Sequence, residues 1–144
     1  MATRSCVAVP QGDGWAGRYV HWDGYPEHMI PTLLDLIERK GLDRVIDVLI
    51  NWNYAWSSLG AIGQIDVDRY ADDRFTVVSD YGVAYSRSEQ DNHWITDQNS
   101  EPMWHEFVYI LGPKGITVLH STLDENDEYV HRYHSTVTYP KVLV

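Results

Sequence analysis

The amino-acid sequence predicts an α+β fold: one domain over residues 1–144, in which two short helices pack on an antiparallel sheet of hairpins. Three observations lead there. Short apolar runs separated by turn residues open the chain, a stretch of helical period follows Pro26, and alternating runs joined by Gly-rich reversals return in the second half.

Taken in order, "SCVAVP" is a strand ended by Pro10, "QGDG" is turn chemistry, and "WAGRYVHW" is the returning strand. From Pro26 the period changes. Ile30, Leu33, Leu34 and Ile37 recur at helical spacing, and Gly41 after "ERK" is a C-terminal stop. Leu42, Val45, Ile46, Leu49 and Trp52 form the stripe of a second helix, antiparallel to the first. The segment "NWNYAWSSLGAIGQIDVDRYADDR" has no sustained period and reads as an irregular connection with one helical turn at Tyr54 to Leu59. Beyond it, "FTVVS" and "VAYS" flank a tight turn at "DYG", and "HEFVYILGPKGITVLHS" is the strongest hairpin of the chain. "EYVHRYHSTVTYP" adds a last strand, ended by Pro140.

Composition narrows the functional classes. The 144 residues carry 21 acids against 11 bases, a formal −10, and residues 51–101 hold nine acids against three bases, which is −6 of that total. Such a surface repels a phosphate backbone and an anionic membrane, so neither nucleic acid nor membrane is an expected partner. A basic surface on another protein is the partner this charge suits, through Asp66, Asp68, Asp72, Asp73, Asp80, Glu89, Asp91 and Asp97. Mimicry of DNA charge is one form of that interaction. The single Cys6 excludes an internal disulfide, and with no long apolar run the expectation is a cytoplasmic protein.

The densest chemistry lies in "HWDGYP", residues 21–26. Alternation in a strand puts Tyr19, His21 and Asp23 on one face, with Val20 and Trp22 toward the core. Asp23-Gly24 then turns the chain, and Pro26 starts the helix with Glu27 in its first turn. Three roles remain open. The motif is a strand-to-helix corner with Asp23 capping backbone N–H groups, a His21–Asp23 dyad, or a binding site lined by Tyr19, His21, Asp23 and Tyr25. A dyad needs a nucleophile, and no Gly-x-Ser-x-Gly elbow is present, so no catalytic residue and no cofactor are assigned.

The opening "MATRS" and the later "YVHWDGYPEH" with its leucine-rich helix resemble a family of small bacteriophage and prophage proteins. The resemblance covers roughly residues 1–37 and is weaker at "WSSLG", "YGVAYSR" and "EFVYIL". The chain departs from the pattern after the proline, where "EHMIP" replaces a glycine-containing stretch. The resemblance carries no activity to any residue. It implies a context: a non-structural accessory protein in the cytoplasm of an infected or lysogenic host.

Other constellations are weaker. His131 and His134 in "HRYH" lie three apart, a spacing that opposes them on a strand, and no metal site is expected. Trp52, Tyr54, Trp56, Trp94 and Trp104 are candidates for a base-stacking floor, which would require Arg18, Arg69, Arg74 and Arg87 to converge on a phosphate. The two functional expectations are therefore a non-enzymatic binder of a host protein and a small-ligand or nucleotide-signal module at "HWDGYP".

Overall fold

A computed structural model describes residues 3–60, 73–86 and 94–140. Among them, β1 (Ser5–Gln11) and β2 (Gly14–Val20) form the first hairpin, followed by α1 (Pro26–Lys40), α2 (Leu42–Ile46) and a π-helical turn over Asp47–Asn51. The remaining strands are β3 (Trp56–Leu59), β4 (Phe75–Val78), β5 (Gly82–Tyr85), β6 (Ile95–Thr96), β7 (Phe107–Leu111), β8 (Gly115–Leu123) and β9 (Tyr129–Thr138). They make a single α+β domain whose sheet runs β4-β5-β3-β2-β1-β7-β8-β9, with β6 also paired to β2.

The sheet is mixed, and this differs from a pure stack of hairpins. β1 pairs with β7 in parallel, and β2 meets β3 in parallel at Val20 and Trp56. Helices α1 and α2 form the crossover between β2 and β3, the long connection that parallel strands require. All other pairings are antiparallel.

One face of the sheet lies under the helices. α1 begins with Pro26 at its N-terminus and Glu27 in its first turn, carries Arg39 and Lys40 in its last, and stops at Gly41, whose φ of 88° suits glycine. It buries Met29, Leu33, Leu36 and Ile37 against Val7, Val20, Trp56, Tyr109 and Val118. The indole of Trp56 is fully buried and donates to the Leu49 carbonyl at 2.9 Å. This explains one failed expectation: the stretch from Tyr54 to Leu59 is not a helical turn but contains β3, whose Trp56 is a central core residue. The second helix also changes pitch. Beyond Ile46 it widens into the π-helical turn, and Trp52 at its end is 60% exposed, off the buried stripe.

The opposite face gathers Cys6, Ala8, Trp15, Tyr19, Ile95 and Val108. Here the β1–β2 register sets Cys6 beside Tyr19 and Pro10 beside Trp15. Burial raises the pKa of the Cys6 thiol far above its ordinary range, leaving it a protonated packing group.

Candidate functional site

The "HWDGYP" corner is fixed from two sides. The Gly24 N–H donates to the Thr3 carbonyl at 2.8 Å, and the Gly24 carbonyl accepts from the buried Tyr109 hydroxyl at 2.6 Å. A Cβ at Gly24 would stand 2.6 Å from both Ser5 Oγ and the Thr3 carbonyl oxygen, so only glycine fits. Beyond β2, His21 and Trp22 donate their backbone N–H groups to the carbonyls of Trp56 and Ser57, each at 2.9 Å. The chain therefore stays beside β3 but bends at Trp22 before turning.

Two expectations about this corner are corrected. Asp23 does not cap α1: the N-cap position belongs to Tyr25, and no side chain bonds the first-turn N–H groups. Asp23 instead occupies the left-handed region at φ 55°, exposed, with its carboxylate bonded to the Tyr25 phenol, whose pKa it raises. No hydrogen bond joins it to His21, so the two residues form no dyad. Trp22 is 37% exposed and its ring lies edge-on to His21, 4.6 Å between centroids, because the strand ends at Val20 and the turn frees its side chain from the core.

Tyr19 and His21 do share a face. The Tyr19 hydroxyl lies 2.6 Å from His21 Nδ1, and it also bonds the Arg4 guanidinium. A guanidinium has only donors, so the phenolic oxygen accepts from Arg4. Burial, the leading cause, raises the Tyr19 pKa to about 12, so the phenol keeps its proton. Burial first, and then Arg4, lower the pKa of His21.

Two further histidines close the group, neither of which the motif indicated. His105, on the segment between β6 and β7, meets Tyr19 edge-on at 5.8 Å. Its Nδ1 accepts the Glu101 N–H at 3.2 Å, so this uncharged ring carries its hydrogen on Nε2. Burial, then His131 and Arg4, push its pKa down to about 4. His131 of β9 donates from Nε2 to the His105 carbonyl at 2.6 Å and stands edge-on to Trp15 at 6.0 Å; burial lowers its pKa too. Opposite His131 in the β8–β9 register is Ser121, 9% exposed, whose hydroxyl has no hydrogen-bond partner among the described residues.

Arg4 stands at the centre of this group. Half-buried, it lies over the Trp104 ring, 5.1 Å from its centroid, and among the described residues no carboxylate pairs with it. The cluster thus combines a guanidinium with uncharged imidazoles, and aromatic rings lie at its margin. A guanidinium that no carboxylate engages suits an anionic oxygen. Sequence patterning missed Arg4, His105, His131 and Ser121 because they come from four separate segments. The one available signal was the period-2 alternation that places Arg4 on the face of Cys6.

The other sequence candidates lie elsewhere. Asp80 pairs with Lys40 at 3.0 Å, which lowers its pKa and ties the β4–β5 turn to the end of α1. Asp97 accepts from the Gln98 side chain and the Trp15 N–H, and both lower its pKa. Asp73 is exposed and engaged in an interaction of its own. Asp66, Asp68, Asp72, Glu89 and Asp91, with Arg69 and Arg87, lie outside the described residues. The aromatic series does not form one floor: Trp56 is core, Trp52 stacks on Arg44, and Tyr54 and Trp94 lie beside Arg18 at 6.0 and 4.8 Å. His131 and His134 face opposite ways, His134 lying edge-on to Phe107 and His120 on the helix side. No group of three metal-ligating side chains occurs among the described residues, and no described helix is long and apolar enough to cross a membrane.

Comparison with protein-family models, curated proteins and solved structures found no match.

Proposed function

We propose that the chain is a non-enzymatic binding protein for a small anionic ligand of the nucleotide type, held at the Arg4–Tyr19–His21–His105 cluster. The observation that carries this reading is the half-buried Arg4, unpaired with any carboxylate among the described residues and set beside the uncharged side chains of Tyr19, His21 and His105. A half-buried guanidinium that no carboxylate engages is open to charge-assisted hydrogen bonds from an anionic ligand. Trp104 and Trp22, exposed at 50% and 37%, offer rings to a flat ligand moiety. The formal −10 favours a small ligand over a polyanion, because a long phosphate backbone would meet the acidic remainder of the surface.

The test is a thermal-shift screen against inorganic phosphate, pyrophosphate and nucleoside mono-, di- and triphosphates. A ligand that binds the native state raises the melting temperature with its concentration. A panel without any concentration-dependent shift at low ionic strength would remove the proposal.

The net charge supports a second reading, an accessory protein of phage type that meets a basic host protein through the acids of residues 66–97. Capture from host lysate that weakens as salt rises, in a chain whose Arg4 has been replaced, would favour it over the ligand site.

A further inference from the structure

The two edges of the sheet are unlike. β4 closes one end with four residues, whereas β9 closes the other with ten, and β9 pairs with β8 alone among the described residues. A long unpaired edge offers its backbone N–H and C=O groups to another strand, and proteins commonly blunt such edges with charge. β9 is not blunted in this way: Tyr129–Thr138 contains no acid, and Arg132 is its one charged residue other than histidine, in a chain of formal −10.

We infer that β9 is a homodimer interface, pairing antiparallel with β9 of a second copy about a two-fold axis. Charge supports a second copy as the occupant. The β8–β9 turn at one end of β9 carries Asp124, Glu125, Asp127 and Glu128, while at the other end Tyr139 bonds the carbonyl of Lys114, an exposed lysine in the β7–β8 turn. Antiparallel pairing brings the acidic turn of each copy toward the Lys114 turn of its partner. Acids elsewhere on the surface would make most other self-contacts repulsive.

The bulge in β9 selects the register. Leu119 lies opposite Tyr133 and Val118 opposite Ser135, so His134 is the extra residue and the alternation of faces shifts by one there. Val130 and Arg132 therefore share a face with Ser135 and Val137, while Tyr129 and His131 share the other with Thr136 and Thr138. In an unbulged strand these pairs would fall on opposite faces. With the bulge, a dyad between Tyr133 and His134 sets Val130 against the partner's Val137, Arg132 against the partner's Ser135, and Tyr129 against the partner's Thr138. Bulges ordinarily disfavour edge pairing, but here the bulge makes this register consistent on both faces.

Sedimentation velocity on the full chain measures the mass directly. The expected result is twice the 16.6 kDa monomer. Tyr133→Asp, which sets two carboxylates beside the dyad at a position 65% exposed, should return the monomer mass with the folded circular-dichroism spectrum unchanged. The double variant Tyr129→Cys/Thr138→Cys should cross-link between copies under mild oxidation, because the two positions are too far apart to bridge within one chain. Tyr129→Cys alone should not cross-link. A monomer at every concentration, or a dimer that ignores Tyr133→Asp and fails to cross-link in this register, would overturn the inference.

Discussion

The Tyr109 hydroxyl donates to the carbonyl of Gly24 across 85 positions of sequence, at 2.6 Å and out of contact with solvent. This bond ties the turn that leads into α1 to β7, in the middle of the sheet. Tyr109→Phe removes the donor and leaves the carbonyl buried without a partner, a loss of about 1–3 kcal/mol. Urea denaturation should show a lower midpoint with an unchanged slope. An unaltered midpoint would mean that the corner is held by other contacts.

Asp23 gives the opposite expectation. It bonds no first-turn N–H of α1 and sits at φ 55°, a conformation that glycine adopts without steric cost. Asp23→Gly should therefore match or exceed the wild-type stability, while Asp23→Ala should lose roughly 1 kcal/mol through the left-handed backbone. If Asp23→Gly lost as much as Asp23→Ala, the carboxylate would have a role that its bond to Tyr25 does not explain.

Acid should weaken the fold between about pH 6.5 and pH 4. His21, His105 and His131 all have folded pKa values below the unfolded one, with His105 at about 4. In that window the unfolded chain binds more protons, so the stability is complete above pH 6.5 and is lost as pH falls toward 4. For His105 alone the loss is roughly 2 kcal/mol after allowance for partial exposure. Denaturation midpoints measured across this range should fall with pH. His105→Phe should flatten the slope, and an equal slope in that variant would exclude His105 as a contributor.

Ser121 tests the packing between β8 and β9 beside His131. Its buried hydroxyl has no partner among the described residues, so Ser121→Ala removes no hydrogen bond and should be neutral or slightly stabilising. A loss above 1 kcal/mol in stability would show that the hydroxyl has a structural partner.

The elements with strong local patterns were legible. The first hairpin, α1, and the hairpin on either side of "GPKG" follow from alternation, helical period and turn residues. β3 was not legible, because four residues around a core tryptophan carry no period, and the two-residue β6 carries even less. The parallel contacts depend on a crossover that no local signal announces. At the site, Tyr19 and His21 were legible as strand neighbours, yet Asp23 was misplaced because one left-handed residue ends the alternation. Arg4, His105, His131 and Ser121 join them only through the sheet register and the β6–β7 segment.

The most direct test of the anion site is calorimetric titration of a nucleoside monophosphate into the wild-type chain and into Arg4→Met, which keeps the apolar stem beneath Trp104 and removes the charge. The account predicts saturable binding to the wild type and at least a tenfold loss in the variant, about 1.4 kcal/mol, with the unliganded melting temperature preserved. Equal affinity in the two proteins, or no heat with either, would contradict it.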